Sequence, residues 1–297
     1  MKFGMNISGV FPQAKNFPLR LFTDIAMLSE DLGYDGFFIP DHYNLPRTNE
    51  CAEPFTTLAY IAAKTETIRL GTIVSPVSRY VPPQLAKIIA HLDHLSGGRV
   101  IPGFGAGWHP DEFYTYAPHH TWPGPSERVA RTIEGVRLMR RLWTEAKVTF
   151  TGKYYAVHDA VLEPKPLQKP HPPIWSGGSG EYMLKMTAKY FDGWMPNNWQ
   201  WTNAGEVTAE NYRRRVDTLR GYLKRYGRNL DRFTFGIQGG VTDTAELVEA
   251  YQDAGCNYYV AFIGDDTPDR GYPFSFDPRQ YLDLAKTFAE DVLYSFL

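Results

Sequence analysis

Residues 173–195 read PIWSGGSGEYMLKMTAKYFDGWM, and their order decides the fold. A short apolar run, Pro173 to Ser176, meets a Gly-rich turn; a segment of helical period follows, Glu181 to Tyr190, and then a second short run, Gly193 to Met195. Strand, turn, helix and strand in that order make the unit of a parallel sheet, because parallel strands need a crossover connection. The same order recurs along the whole chain. Strand-like runs lie near Lys2 to Ser8, Asp35 to Pro40, Ile68 to Val74 and Arg99 to Gly103, and beyond the quoted stretch near Phe233 to Gln238 and Tyr258 to Ile263. Helical segments lie near Leu19 to Leu32, Pro54 to Thr65, Pro82 to Leu95, Glu127 to Trp143, Ala209 to Tyr226, Thr244 to Ala254 and Pro278 to Tyr294. Gly33, Gly227 and Gly255 stand where helices should end.

Repeated right-handed βα units can close a barrel, whereas an open doubly wound sheet carries a nucleotide fingerprint after its first strand. Here the first strand leads into SGVFPQAKNFP, with no GxGxxG. The expected fold is therefore α/β, a (β/α)8 TIM barrel forming one domain over residues 1–297. An insertion between strands 4 and 5, from Trp108 to Pro172, interrupts the rhythm; it holds one helix and the hairpin-like VTFTGKYYAV.

Composition narrows the function. The chain is 43% hydrophobic with a formal net charge of -2, which supplies a core and no basic field for nucleic acid. The start, MKFGMNISGV, runs straight into a strand, and no uncharged apolar stretch could span a bilayer, so a cytoplasmic protein without a membrane partner is expected. Cys51 and Cys256 lie far apart and outside any CxxC or Cys/His spacing, which argues against a disulfide framework and a zinc site. Aromatic residues in Gly/Pro-rich connections suit a ring-lined pocket for a small molecule.

In a (β/α)8 barrel the residues just after each strand line the mouth. After strand two come Asp41, His42, Tyr43 and Asn44; His42 is a candidate general acid or base, and Asp41 could orient it or bind a ring N–H, against a capping aspartate beside a solvated histidine. After strand three, Thr72, Ile73, Val74 and Ser75 put a hydroxyl and a proline, Pro76, where a ring could rest. After strand four, Gly105, Ala106 and Gly107 let a flat ligand approach the backbone before Trp108. After strand five, Gly177, Gly178, Ser179 and Gly180 open a helix, so N–H groups and the helix dipole converge on a point suited to phosphate. No GxxxxGK[ST] accompanies it, so a phosphorylated cofactor is implied rather than a nucleoside triphosphate. Asn197 and Asn198 after strand six and Gln238 after strand seven could add polar contacts. His109, Asp111, Glu112, His119 and His120 crowd one loop, but their spacing matches no metal motif.

These segments together resemble the luciferase-like oxidoreductases. The matching stretches are MKFG, LGYDGFFIPDHYN, IRLGTIVSP, PPQLAKIIAHLDHLSGGRV, GFGAGW with the following DEF, EPKPLQKPHPPIWSGGSG and YFDGWMP, spread from residue 1 to about residue 196. The resemblance implies coenzyme F420 or, alternatively, FMN in the barrel mouth, its phosphate on Gly177, Gly178 and Ser179 and its ring on a bulge with a cis peptide between Ile73 and Val74. The DHYN run, the MKFG start and the length tilt the expectation to F420 and thus to hydride transfer, with His42 handling one proton and Tyr43, Trp108 and Asn197 lining the substrate pocket. The F420-dependent sugar-phosphate dehydrogenases end the strand-four turn in a catalytic glutamate where this chain has Trp108, which argues against sugar phosphate oxidation. The alternative is a two-component FMN-dependent monooxygenase served by a flavin reductase; a non-catalytic flavin-binding protein is a third reading, opposed by Asp41 and His42. The resemblance also implies a homodimer.

Overall fold

The computed structural model describes residues 1–8, 19–45, 51–197, 208–264 and 278–297. Asn198, one of the candidate polar contacts, lies outside them. The first half runs β1 (Lys2–Ile7), α1 (Leu19–Asp31), β2 (Gly36–Ile39), α2 (Pro54–Ala62), β3 (Arg69–Thr72), β4 (Ser75–Pro76), α3 (Pro82–Leu95), β5 (Val100–Ile101) and β6 (Gly103–Gly105). Then come α4 (Pro110–Tyr116), α5 (Pro125–Thr144), β7 (Val148–Thr151) and β8 (Ala156–Ala160). The remainder is β9 (Trp175–Ser176), α6 (Glu181–Tyr190), β10 (Gly193–Trp194), α7 (Ala209–Arg225), β11 (Thr234–Gly240), α8 (Ala245–Asp253), β12 (Tyr258–Ile263) and α9 (Pro278–Asp291).

Local chemistry sets many of these boundaries. Glu53 accepts the N–H groups of Phe55 and Thr56 at 3.1 and 2.7 Å, and Pro54 opens α2 where a missing N–H costs nothing. Thr208 and Thr244 cap α7 and α8 with their side chains. Gly33 and Gly255 follow α1 and α8 with φ of 85° and 101°, a region that favours glycine, so the chain turns there into the next strand.

Ten strand segments form one curled parallel sheet in the order β4-β6-β9-β10-β11-β12-β1-β2-β3-β5. Two of the expected strands are each split. The third breaks at Ile73 and Val74, whose peptide bond is cis, at the position the family resemblance implies. The fourth breaks at Pro102, which has no N–H for the ladder, and then resumes past its expected end at Gly103 to include Phe104 and Gly105. β7 and β8 form an antiparallel hairpin outside the parallel sheet, and Glu134 of α5 accepts the N–H groups of Lys153, Tyr154 and Tyr155 at its turn.

Side-chain alternation divides the sheet into two faces. Along β12, Tyr258 and Val260 join a small inner cluster with Phe38, Ile73, Ile101, Trp175 and Met195, while Tyr259, Ala261 and Ile263 join the larger apolar layer shared with the helices. Phe38 stacks on Trp175 at 5.3 Å and meets Tyr258 edge-on at 6.2 Å. The inner strands supply glycine where these rings pass: a Cβ on Gly4 or Gly36 would lie 2.8 or 2.9 Å from Phe38, and one on Gly71 would lie 2.1 Å from the Ile101 carbonyl oxygen. Ring volume on one strand is thus accommodated by absent side chains on its neighbours.

Candidate functional site

The end of β2 delivers Asp41, His42 and Tyr43 to the rim of the sheet. Asp41 is buried and ion-paired to Arg79, and it accepts a hydrogen bond from the Tyr80 hydroxyl at 2.8 Å. Arg79 ends a short 3-10 turn, Val77–Arg79, directly after β4. Its guanidinium is fully enclosed, lies 4.1 Å from the centre of the Tyr43 ring, and has Nη1 2.8 Å from Glu112 Oε1. That second approach is an ion contact without hydrogen-bond alignment.

Glu112 stands in the first turn of α4 with 2% of its side chain exposed. Its Oε1 accepts the Tyr43 N–H at 2.6 Å, and its Oε2 lies 3.3 Å from His42 Nδ1. Burial pushes the Glu112 carboxyl up, but the His42 hydrogen bond, the charges of Arg79 and His42 and the Tyr43 N–H outweigh it, so the group is held below its ordinary value. Burial and the Asp41 charge push the Tyr80 phenol well up, which keeps it a donor. Two carboxylates share one guanidinium here, so negative charge exceeds positive by one beside His42.

The carboxylate that contacts His42 is Glu112, while Arg79 and Tyr80 engage both Asp41 oxygens, so any orienting effect of Asp41 on the imidazole is indirect. Sequence reading also missed Arg79, Tyr80 and the helix α4. The signal for α4 was present, since Pro110, Asp111 and Glu112 read as a helix start, with proline first and acids in the first turn. The ring of Trp108, 52% exposed, meets His42 edge-on at 5.4 Å and stacks on His109 at 5.3 Å. Tyr43 meets Tyr116 edge-on at 4.9 Å.

Val74 gathers a second set of the expected residues. It packs against the inner cluster, and a Cβ on Gly103, Gly105 or Gly177 would lie 3.1, 2.7 or 2.8 Å from its side chain. Those glycines make room for Val74 rather than leaving backbone bare. Likewise the space beside Gly107 is taken by Phe113 and that beside Gly178 by Met183, whereas nothing lies within 4 Å of a Cβ on Gly180. Thr72 spends its hydroxyl on the Gly103 backbone, at 3.0 Å to the oxygen, while the buried Ser75 hydroxyl has no partner. The Ala106 carbonyl faces Ser78 Oγ at 3.5 Å. In the Gly-rich turn the Gly178 carbonyl accepts the Trp194 indole N–H at 2.9 Å, the Ser179 carbonyl accepts Arg215, and Gly180 caps α6 without a side-chain bond. Asn197 bridges in parallel to the buried Gln238.

One residue went unnoticed in the sequence. Asn6 of β1 lies two positions after the inward-facing Gly4, is buried, and has neither its amide nitrogen nor its oxygen hydrogen-bonded. A lone amide in the otherwise apolar FGMNI run was its signal. Among the described residues no helix is long and apolar enough to cross a membrane, and no three His, Cys, Asp or Glu side chains gather closely enough to hold a metal ion.

Solved structures share this architecture. The monooxygenase RslO1 from Streptomyces bottropensis superposes with a TM-score of 0.81 at 22% identity, covering 100% of both chains. The coenzyme F420 dependent tetrahydromethanopterin reductase from Methanopyrus kandleri gives a TM-score of 0.74 at 17% identity, covering 100% of this chain and 99% of its own. At such identities the likeness is one of fold. In sequence, the F420-dependent glucose-6-phosphate dehydrogenase of Intrasporangium calvum is 36% identical over 185 residues, 61% of this chain. The aligned region spans about half the length of that relative, 55%. The sequence profile described as luciferase-like monooxygenase matches residues 1–290, and the chain belongs to that family.

Proposed function

We propose that this chain is an F420-dependent oxidoreductase that moves a hydride between the coenzyme and a small organic substrate, with His42 giving or taking one proton. The observation that carries the proton role is the partly exposed His42, held from behind by a buried, ion-paired Glu112 and flanked by the exposed Trp108. The cofactor follows from the relative named for F420 at 36% identity. We read the sheet as a closed (β/α)8 barrel in a single domain over residues 1–297, with 108–172 inserted. In support, β3 pairs with β5 and β4 with β6, so both ends of the strand order belong to the same two stretches of chain.

The residues fit the coenzyme. Val74, seated over three inward glycines, offers an apolar plate for a flat ring. The unpartnered Asn6 carboxamide and Ser75 hydroxyl offer buried hydrogen-bonding groups, whose isolation costs about 1–3 kcal/mol each unless a ligand or water meets them. The Gly177 to Gly180 turn and the uncapped first turn of α6 would take the phosphate, with the Arg215 charge beside Ser179. Bound F420 supplies a ring carbon that accepts or releases hydride. His42 would hold the accompanying proton, Asp41 would keep Arg79 in place, and Trp108, Tyr43 and Asn197 would bound the substrate.

The substrate we expect is not a sugar phosphate. Trp108 presents an apolar face where the resemblance implies a catalytic glutamate in sugar-phosphate dehydrogenases, and Glu112 is buried and already engaged. With F420 under nitrogen, glucose-6-phosphate should therefore give no turnover; turnover would refute this substrate reading. Replacing His42 with Ala should lower turnover of a true substrate about 100-fold or more while sparing coenzyme affinity. Unchanged turnover would remove His42 from the mechanism. We further propose a homodimer, for which exposed Ile88 and Leu95, seven residues apart on α3, supply an apolar strip.

A further inference from the structure

The geometry points to Glu112 as the residue that selects the tautomer of His42, leaving Nε2, the ring nitrogen not engaged by Glu112, as the unprotonated atom. The catalytic consequence rests on the reading of His42 as the proton-transferring group; the tautomer itself does not.

The three partners of Glu112 carry the argument. Oε1 receives the Tyr43 N–H at 2.6 Å and lies 2.8 Å from Arg79 Nη1, so its approaches are filled by donors. Oε2 is left to His42 Nδ1 at 3.3 Å. An ionised carboxylate only accepts, so Nδ1 must carry hydrogen in this contact, and the neutral ring then has its lone pair on Nε2. Trp108 meets the ring edge-on at 5.4 Å and restricts its rotation. The arrangement makes neutral His42 a base at Nε2, suited to accepting a substrate proton as hydride leaves. The imidazolium, formed when Nε2 takes that proton, would return it in the reverse direction.

Arg79 gives the contact its direction. It is clamped between Asp41 and Glu112, and Asp41 also accepts from Tyr80, so the Glu112 carboxylate cannot swing without uncovering a buried guanidinium. Asp41 thus reaches His42 through two intermediaries, Arg79 and Glu112. Glu112 and Arg79 are positioning residues for the imidazole.

This chain of donors makes a Gln substitution informative. In Glu112→Gln the Tyr43 N–H and Arg79 require the amide oxygen on their side, which turns the NH2 group toward Nδ1. Nδ1 must then accept, and the hydrogen moves to Nε2. The Asp variant keeps an acceptor-only group and should retain the original tautomer.

The test is 15N–1H correlation NMR of the full-length chain labelled at histidine, with the His42 signals assigned by their loss in His42→Gln. In wild-type protein with a neutral ring, Nδ1 should appear protonated and Nε2 bare. In Glu112→Gln the two should exchange, and turnover should fall about 100-fold or more with KM little changed, as expected for a misprotonated base. Glu112→Asp should recover part of that loss. A bare Nδ1 in wild-type protein would overturn the proposal even if the Gln variant fails to fold, and so would an unchanged tautomer in a folded Gln variant. If the tautomers behave as described but His42→Ala retains full turnover, the positioning stands and the catalytic reading of His42 falls.

Discussion

At the scale of single residues, the decisive group is a guanidinium with no access to solvent. Arg79 faces Asp41 and Glu112, so Arg79→Ala leaves two buried carboxylates without their counter-charge and should cost about 3–5 kcal/mol in urea unfolding. A loss below 1 kcal/mol would mean that water reaches the cluster. Glu112 adds a pH dependence with a definite sign. Its carboxyl is held below the ordinary value of 4.5, so its contribution to stability is fully present above that value and is lost as pH falls from there through the folded value. The stability lost by wild-type protein between pH 6 and acid conditions should therefore shrink in Glu112→Gln, as read by denaturant titration at each pH; an identical acid slope would contradict the assignment. Asp41 and His42 were legible in the sequence because they follow a strand. Arg79 was not, and Glu112 stood out only as one of several polar residues in a loop, since their partners lie 38 and 70 positions away and local pattern carries no information about such pairings.

At the scale of elements, the sheet is legible wherever periodicity governs and illegible wherever two strands negotiate space. The runs at Lys2 to Ser8 and Tyr258 to Ile263 match their strands closely, because alternating inward and outward residues specify both faces. The breaks in the third and fourth strands and the short helix α4 escape such patterns. α4 is only Pro110–Tyr116, and its titratable side chains imitate a polar loop. The glycines after strands four and five have a packing reason that the sequence did not display, since Val74, Phe113 and Met183 occupy the room they leave. Gly71 tests the packing rule. Its Cβ would lie 2.1 Å from a backbone oxygen of the adjacent strand, which cannot yield as a flexible side chain can. Gly71→Ala should destabilise the protein by about 1–3 kcal/mol or more in thermal or denaturant unfolding. A neutral effect would show that β3 and β5 sit further apart than described.

At the scale of the whole molecule, the helices cover the outer face of the sheet and leave an apolar strip on α3. If that strip joins two copies, light scattering should give twice the chain mass for wild-type protein and the single mass for Ile88→Glu with Leu95→Glu. A wild-type monomer at micromolar concentration would end the dimer proposal. On the inner face, the Val74 plate, the orphaned Asn6 amide and the α6 turn are the groups we propose to hold the coenzyme. The measurement that tests this most directly is equilibrium binding of the purified chain to F420 and, separately, to FMN, followed by absorbance and fluorescence. Tight F420 binding with weak FMN binding is the predicted result. Tight FMN binding with weak F420 binding would contradict it and transfer the site to oxygen-dependent chemistry served by a flavin reductase.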